Sequence, residues 1–254
     1  MSAAAKKIYL FANWKMYLNY AESRSLARAL KKTAHDLPQR AGMAVFPSAL
    51  AMVGVKEELS GSPVLLGAQN TYWVDRGGYT GEVSSAMYKA VGVRYALVGH
   101  SERRTIFHEN NHDVRQKIEA LLAVGITPVV CIGETKPERQ DGSAEEVVEA
   151  QLRAAFTDLA WPEGRELIIA YEPVWAVNTG EPCAPEEAGR MCSLLKKNVA
   201  GLLGDIPAVF LYGGSVRPEN VGDFIRQTDI SGVLVGGASA KLETWSGIMA
   251  AAVK

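Results

Sequence analysis

Glu172 occupies an unusual setting for a charged residue. Five apolar positions, Leu167, Ile168, Ile169, Ala170 and Tyr171, run straight into it, and Pro173 follows at once. Such a run reads as a buried strand, and the proline ends it by withholding a ladder donor. A loop of small residues and one indole comes next: Val174, Trp175, Ala176, Val177, Asn178, Thr179 and Gly180. A lone carboxylate at a strand's C-terminal end, beneath a segment able to cover it, is what proton abstraction from carbon requires. The base is positioned and water can be kept out. An isolated Glu-Pro pair is more often a surface feature, so the reading depends on what else converges there.

The elements that would bring other groups to Glu172 recur about every thirty residues as an apolar run, a turn and a helical stretch. The runs are 8–12, 42–46, 64–68, 95–98, 127–132, 167–171, 208–212 and 233–235. Most are apolar on both faces, as parallel strands covered on both sides are. Helical stretches fall at 21–36, 112–124, 144–159, 185–203, 218–227 and 241–253. Pro185 with Glu186 and Glu187, and Pro218 with Glu219, suit first turns, and Gly125 reads as a helix stop. Eight strand–helix units in 254 residues predict one α/β domain over 1–254, a closed (β/α)8 barrel of eight parallel strands. A doubly wound open sheet is the structural alternative, but it calls for polar or short edge strands, and no run has that pattern.

In such a barrel the strand C-terminal ends share one mouth. Asn13 and Lys15 follow the first run, His100, Ser101 and Glu102 the fourth, Glu172 the sixth, Gly213, Gly214 and Ser215 the seventh, and Gly236 and Gly237 the eighth. Singly, Lys15 reads as a surface lysine, His100 as a turn histidine and the glycine pairs as tight turns. Together they make a site. Glycine turns let backbone N–H groups approach an anion, and a short helix near Ala238 adds its positive end, as in a phosphate site. Glu172 could then take a proton beside a carbonyl, with His100, Lys15 and Asn13 donating to the enediolate oxygens. Ser101 reads as an N-cap with Glu102 opening a helix, an environment that favours a neutral imidazole.

Composition restricts the alternatives. The net charge of −1 and the lack of a basic run argue against nucleic acid. Cys131, Cys183 and Cys192 have no metal spacing and read as reduced thiols in a cytoplasmic protein. No stretch suits a signal peptide or a membrane span. Without a metal cluster or a dinucleotide fingerprint, the expectation is cofactor-free isomerisation of a small phosphorylated sugar.

Six motifs then carry a resemblance along the whole chain: Asn13-Trp14-Lys15-Met16, Tyr79-Thr80-Gly81-Glu82, Gly99-His100-Ser101-Glu102-Arg103-Arg104, Cys131-Ile132-Gly133-Glu134, Tyr171-Glu172-Pro173-Val174-Trp175-Ala176 and Tyr212-Gly213-Gly214-Ser215. The chain resembles the triosephosphate isomerase family, in that family's order. The resemblance implies a TIM barrel that interconverts dihydroxyacetone phosphate and glyceraldehyde 3-phosphate in glycolysis and gluconeogenesis. It implies Glu172 as base, His100 as electrophile and proton shuttle, Lys15 as electrostatic stabiliser and Asn13 as oxyanion donor. Glu102 and Ser101 stand behind them. Phosphate would rest on main-chain N–H groups of Asn178, Ser215, Gly236 and Gly237. A mobile lid would begin at Pro173, with Trp175 as a hinge contact near Glu134 and Tyr171, and with Tyr212 and Ser215 as partners of its closed form. Asn178 and Pro182 depart from the family's usual lid pattern. Residues 70–82, with Tyr72, Trp73 and Tyr79, would form the tongue of a homodimer, Thr80 reaching the neighbour's residues 13–15. An isomerase of a four-carbon ketose phosphate would use the same groups. A non-catalytic sugar-phosphate barrel would lack Glu172, His100 or Lys15, and an amino-acid biosynthetic isomerase does not explain the Asn-Trp-Lys and His-Ser-Glu-Arg-Arg motifs together.

Overall fold

Alternation between two buried faces organises the chain. The computed structural model describes residues 6–177 and 182–254. In chain order the elements are β1 (Ile8–Asn13), α1 (Tyr20–Ala34), β2 (Ala41–Phe46), α2 (Met52–Glu58), β3 (Leu65–Ala68), α3 (Ser85–Val91), β4 (Tyr95–Val98), α4 (Ser101–Ile106), α5 (Asn111–Val124), β5 (Thr127–Ile132), α6 (Lys136–Gln140), α7 (Ala144–Phe156), β6 (Leu167–Tyr171), α8 (Pro185–Leu203), β7 (Ala208–Tyr212), α9 (Val221–Ile225), β8 (Gly232–Val235) and α10 (Leu242–Ala252). Each strand pairs in parallel with its sequence neighbours, and β8 returns to β1, so the sheet closes as a (β/α)8 barrel.

Period two then sorts the side chains. Tyr9 and Phe11 of β1, Leu97 of β4, Val129 and Cys131 of β5, Ile168 and Ala170 of β6, Leu211 of β7 and Leu234 of β8 pack inside the barrel. Their neighbours, such as Leu10, Val98, Val130, Ile169, Tyr212 and Val233, face outward beneath the helices in a separate, larger cluster. The lumen is packed solid: a side chain at Gly67 would collide with the Phe46 ring.

The helix signals are local. Asn19 and Glu22 form a reciprocal capping box on α1, and Asn110 and Asp113 form another on α5. Pro185 opens α8 at its first position. Gly92 and Gly125 end α3 and α5 with φ of 88° and 77°, a region costly for other residues. The helix expected at 218–227 is shorter. Asn220 Oδ1 accepts from the Arg217 N–H at 2.7 Å, which stabilises a turn, so Pro218 and Glu219 precede the helix rather than open it. The stretch expected to reach 159 ends at Phe156, because Asp158 adopts φ 55°. Among the described residues no helix is long and apolar enough to cross a membrane.

One ionic cluster is built into the interior. Glu109 accepts from the Gly99 N–H at 2.9 Å, from Arg103 Nε at 2.6 Å and from the Lys117 ammonium, which also meets Asn70 Oδ1 at 2.8 Å. It ties the turn before His100 to α5 and to the start of the 70–82 loop. Burial alone would raise the Glu109 pKa, but Lys117 and Arg103 outweigh it and hold the carboxyl below its usual value. A depressed carboxylate pKa stabilises the fold above its unfolded value of about 4.3, and that stability is lost as pH falls through the folded value. Glu109→Gln is expected to flatten the acid limb of the unfolding free energy measured by denaturant titration. Lys117→Met is expected to cost about 3 kcal/mol at neutral pH by leaving the carboxylate short of a partner.

Candidate active site

The alternation that fills the lumen continues past the strand ends. Ile168 and Ala170 face inward, so Glu172 does as well, and it is only 2% exposed. The same step takes Tyr9 and Phe11 to Asn13, Leu211 to Gly213, and Leu234 to Gly236. A cavity of about 200 Å³ opens here, with Asn13, Lys15, His100, Glu172, Gly213, Ser215, Gly236 and Gly237 in its wall. Val177, Gly214, Val216, Arg217, Leu234, Val235 and Ala238 complete it. It is smaller than the roughly 300–1,000 Å³ typical of drug-sized ligands.

Glu172 is fixed on three sides. Its Oε2 accepts from the Ser101 N–H at 2.9 Å, and its Oε1 lies 3.3 Å from His100 Nε2. Its backbone is clasped by β5 and β7. A Cβ at Gly133 would overlap the Glu172 carbonyl, and one at Gly213 would stand 2.6 Å from its Cγ. Here glycine is required for close approach, not for positive φ. Cys131 lies beneath the carboxylate, and burial, with the Glu172 charge, pushes its thiol pKa well up. A neutral SH therefore adjoins the Glu172 carboxylate.

His100, rather than Ser101, caps α4: its Nδ1 accepts from the Glu102 N–H at 3.2 Å. That bond assigns the proton of the neutral ring to Nε2, the nitrogen facing the cavity. Ser101 is instead the first helical residue, and its amide serves Glu172. Glu102 holds Lys15, Oε1 to Nζ at 2.6 Å.

Lys15 carries φ 47°, an uncommon backbone for a non-glycine residue. Asn13 Oδ1 accepts from the Lys15 N–H at 3.1 Å, and Gln69 Nε2 donates to the Lys15 carbonyl at 2.8 Å. With its oxygen so engaged, Asn13 keeps its amide N–H groups for the cavity. Gly236 leaves room for the lysine stem, since a Cβ there would stand 2.9 Å from Lys15 Cε. Gly237 opens a short 3-10 turn, Gly237–Ala240, at the cavity wall.

After Glu172 the chain turns under Glu134. The Val174 N–H donates to the Glu134 carbonyl at 2.9 Å and Trp175 Nε1 to Glu134 Oε1 at 2.7 Å. Tyr171 OH donates to the same carboxylate at 3.2 Å. The Ala176 carbonyl accepts from both the N–H and the Oγ of Ser215, at 3.0 and 2.8 Å. Tyr212 OH accepts from the Cys183 N–H at 3.0 Å. Pro173, Val174, Trp175 and Ala176 lie outside the cavity wall, and Val177 is in it. Asn178, Thr179 and Gly180 lie outside the described residues.

Gln69, Cys131 and Arg139 had no place in the sequence reading of the site. Strand-end position could have flagged Gln69, and lumen parity Cys131. Arg139 gives no such signal, because a short helix brings it in. Among the described residues no three His, Cys, Asp or Glu side chains cluster as metal ligands would.

Comparison with known proteins accounts for this arrangement. The family model described as triosephosphate isomerase matches residues 8–252. Relatives named triosephosphate isomerase include those of Roseiflexus castenholzii (41% identical, covering 93% of this chain and 94% of the relative), Chloroflexus aurantiacus (42%, 89% and 92%) and Carboxydothermus hydrogenoformans (40%, 96% and 98%). A closed (β/α)8 barrel with carboxylate, imidazole and ammonium at one mouth, matched over nearly its whole length, belongs to the triosephosphate isomerase family.

Proposed function

We propose that the chain interconverts dihydroxyacetone phosphate and D-glyceraldehyde 3-phosphate through an enediolate, without a cofactor. The observation that carries the proposal is the inward-facing Glu172 carboxylate, 3.3 Å from His100 Nε2 in a cavity that Lys15 and Asn13 share. Glu172 takes a proton from the carbon beside the carbonyl. The charge that develops on oxygen meets Nε2–H of His100, the Lys15 ammonium and the Asn13 amide, donors already oriented before the reaction. His100 gives its Nε2 proton to one oxygen and recovers a proton from the other. Glu172 then returns its proton to the adjacent carbon, so acid and base end as they began.

The phosphate rests against Gly236, Gly237 and Ser215. The Ser215 amide is bonded to the Ala176 carbonyl, so a phosphate oxygen must replace that carbonyl. Phosphate binding and displacement of the Ala176 carbonyl are then one event, which is the physical basis for a lid in this reading. The small cavity and the names of the relatives favour a three-carbon substrate over a four-carbon ketose phosphate.

A second copy of the chain is the proposed partner. Met16, Leu50, Met87, Ile106 and Phe107 are all more than half exposed, apolar side chains that a neighbouring copy would cover. In the 70–82 loop, Tyr72 stacks on Trp73 and packs against Tyr79, leaving the tip exposed.

A coupled assay with glyceraldehyde 3-phosphate tests the reaction, and dihydroxyacetone phosphate incubated in D2O should acquire deuterium at the abstracted position. Glu172→Asp retracts the base by one methylene and should lower kcat about a hundredfold with the fold intact; near-normal turnover would mean another base. Gly213→Ala should lower kcat by about tenfold by crowding Glu172, again with KM little changed. Sedimentation at micromolar concentration should give a dimer that Met16→Asp converts to monomer; a wild-type monomer would overturn the partner assignment.

A further inference from the structure

Arg139 and Glu187 lie outside the cavity wall, and no step above uses them. We propose that the Arg139–Glu187 ion pair is a positioning clasp that holds together the chain leaving β6 and the start of α8, and thereby fixes where Glu172 stands. The inference rests on the isomerase reading of the site.

The guanidinium reaches the chain on both sides of the base. Arg139 Nη2 donates to Tyr171 OH, in the residue before Glu172, at 2.8 Å. Its Nε donates at 3.0 Å to Glu134 Oε1, the oxygen that also accepts from Trp175, three residues after Glu172. The guanidinium carbon lies 5.6 Å from the Trp175 ring centroid. The remaining nitrogen, Nη1, pairs with Glu187 Oε1 in the first turn of α8. That turn follows Cys183, whose N–H is anchored on Tyr212 at the end of β7.

The Glu134 side chain is fully buried, so its charge needs a matching cation. Arg139 supplies it, and its planar fork meets Glu134, Tyr171 and Glu187 from three separate nitrogens, where an ammonium offers only one. Glu187 is held from its other side by Arg190, Nε to Oε2 at 2.8 Å, and Arg190 in turn pairs with Glu145 of α7. As a partly exposed pair, Arg139–Glu187 would add little stability by itself. Its effect falls on geometry, where a displacement of about 1 Å can cost roughly a hundredfold in rate.

The test compares kcat, KM and Trp175 fluorescence for the wild type, Glu187→Gln, Arg139→Gln, Arg139→Lys and the double Gln variant. Trp175→Phe supplies the difference spectrum. Glu187→Gln should lower kcat by about threefold or more while KM stays within about twofold, the size expected for coupled contacts. Arg139→Gln should lower it further, Arg139→Lys should not restore it, and the double variant should be no worse than Arg139→Gln alone. The Trp175 emission should shift in each. Wild-type kcat in Glu187→Gln overturns the inference, including where Arg139→Gln fails to fold, and so does a double variant whose loss is the product of the single losses. A wild type without isomerase activity overturns the parent reading and this inference together; an active wild type with indifferent variants overturns the inference alone.

Discussion

A parallel strand in a closed barrel turns every second side chain into the lumen, and the alternation continues where the ladder stops. This constraint brings Asn13, Glu172, Gly213 and Gly236 to the cavity, whereas His100, on the outward parity of Val98, enters its wall after the turn at Gly99, φ 70°. Ile168 and Ala170 fill the interior, and the next inward position is Glu172. Had Pro173 stood one residue earlier, the carboxylate would have taken the outward parity of Tyr171 and met the helices. The buried setting then makes each polar contact count, because the Glu172 charge must be met by the Ser101 amide and His100 rather than by water.

Much of this was legible in the residues. Strands apolar on both faces, separated by helix starts and stops, gave the barrel, and the residues just past the strands gave the set that shares the cavity. Resemblance, not periodicity, gave the roles. What the sequence hid has physical reasons. The N-cap of α4 is an imidazole, which ranks poorly among cap residues in general, so Ser101 was the better guess by type. Pro218 looked like a helix start because proline suits a first turn, but the Asn220 side chain bonded Arg217 first and shortened the helix. Gln69 and Arg139 act through contacts 23 to 54 residues away, and Glu109 through contacts 6 to 10 residues away that leave no periodic trace.

The glycines show the same limit. Gly213 and Gly236 read as phosphate turns from their positions, yet neither has positive φ. Their lack of a side chain makes room for Glu172 and for the Lys15 stem. A single feature serves two ends: the backbone that could approach an anion is also the backbone against which the Glu172 carboxylate and the Lys15 stem are packed.

The three sulfur atoms carry one more consequence. Burial pushes the Cys131 thiol well up and the Cys183 thiol up to about 12, and Cys192, also fully enclosed, moves the same way. Peroxides and alkylating agents attack the thiolate, and almost none exists here near neutrality. The protein should therefore keep its turnover in air and through purification without added reductant, although one sulfur lies directly under the Glu172 carboxylate.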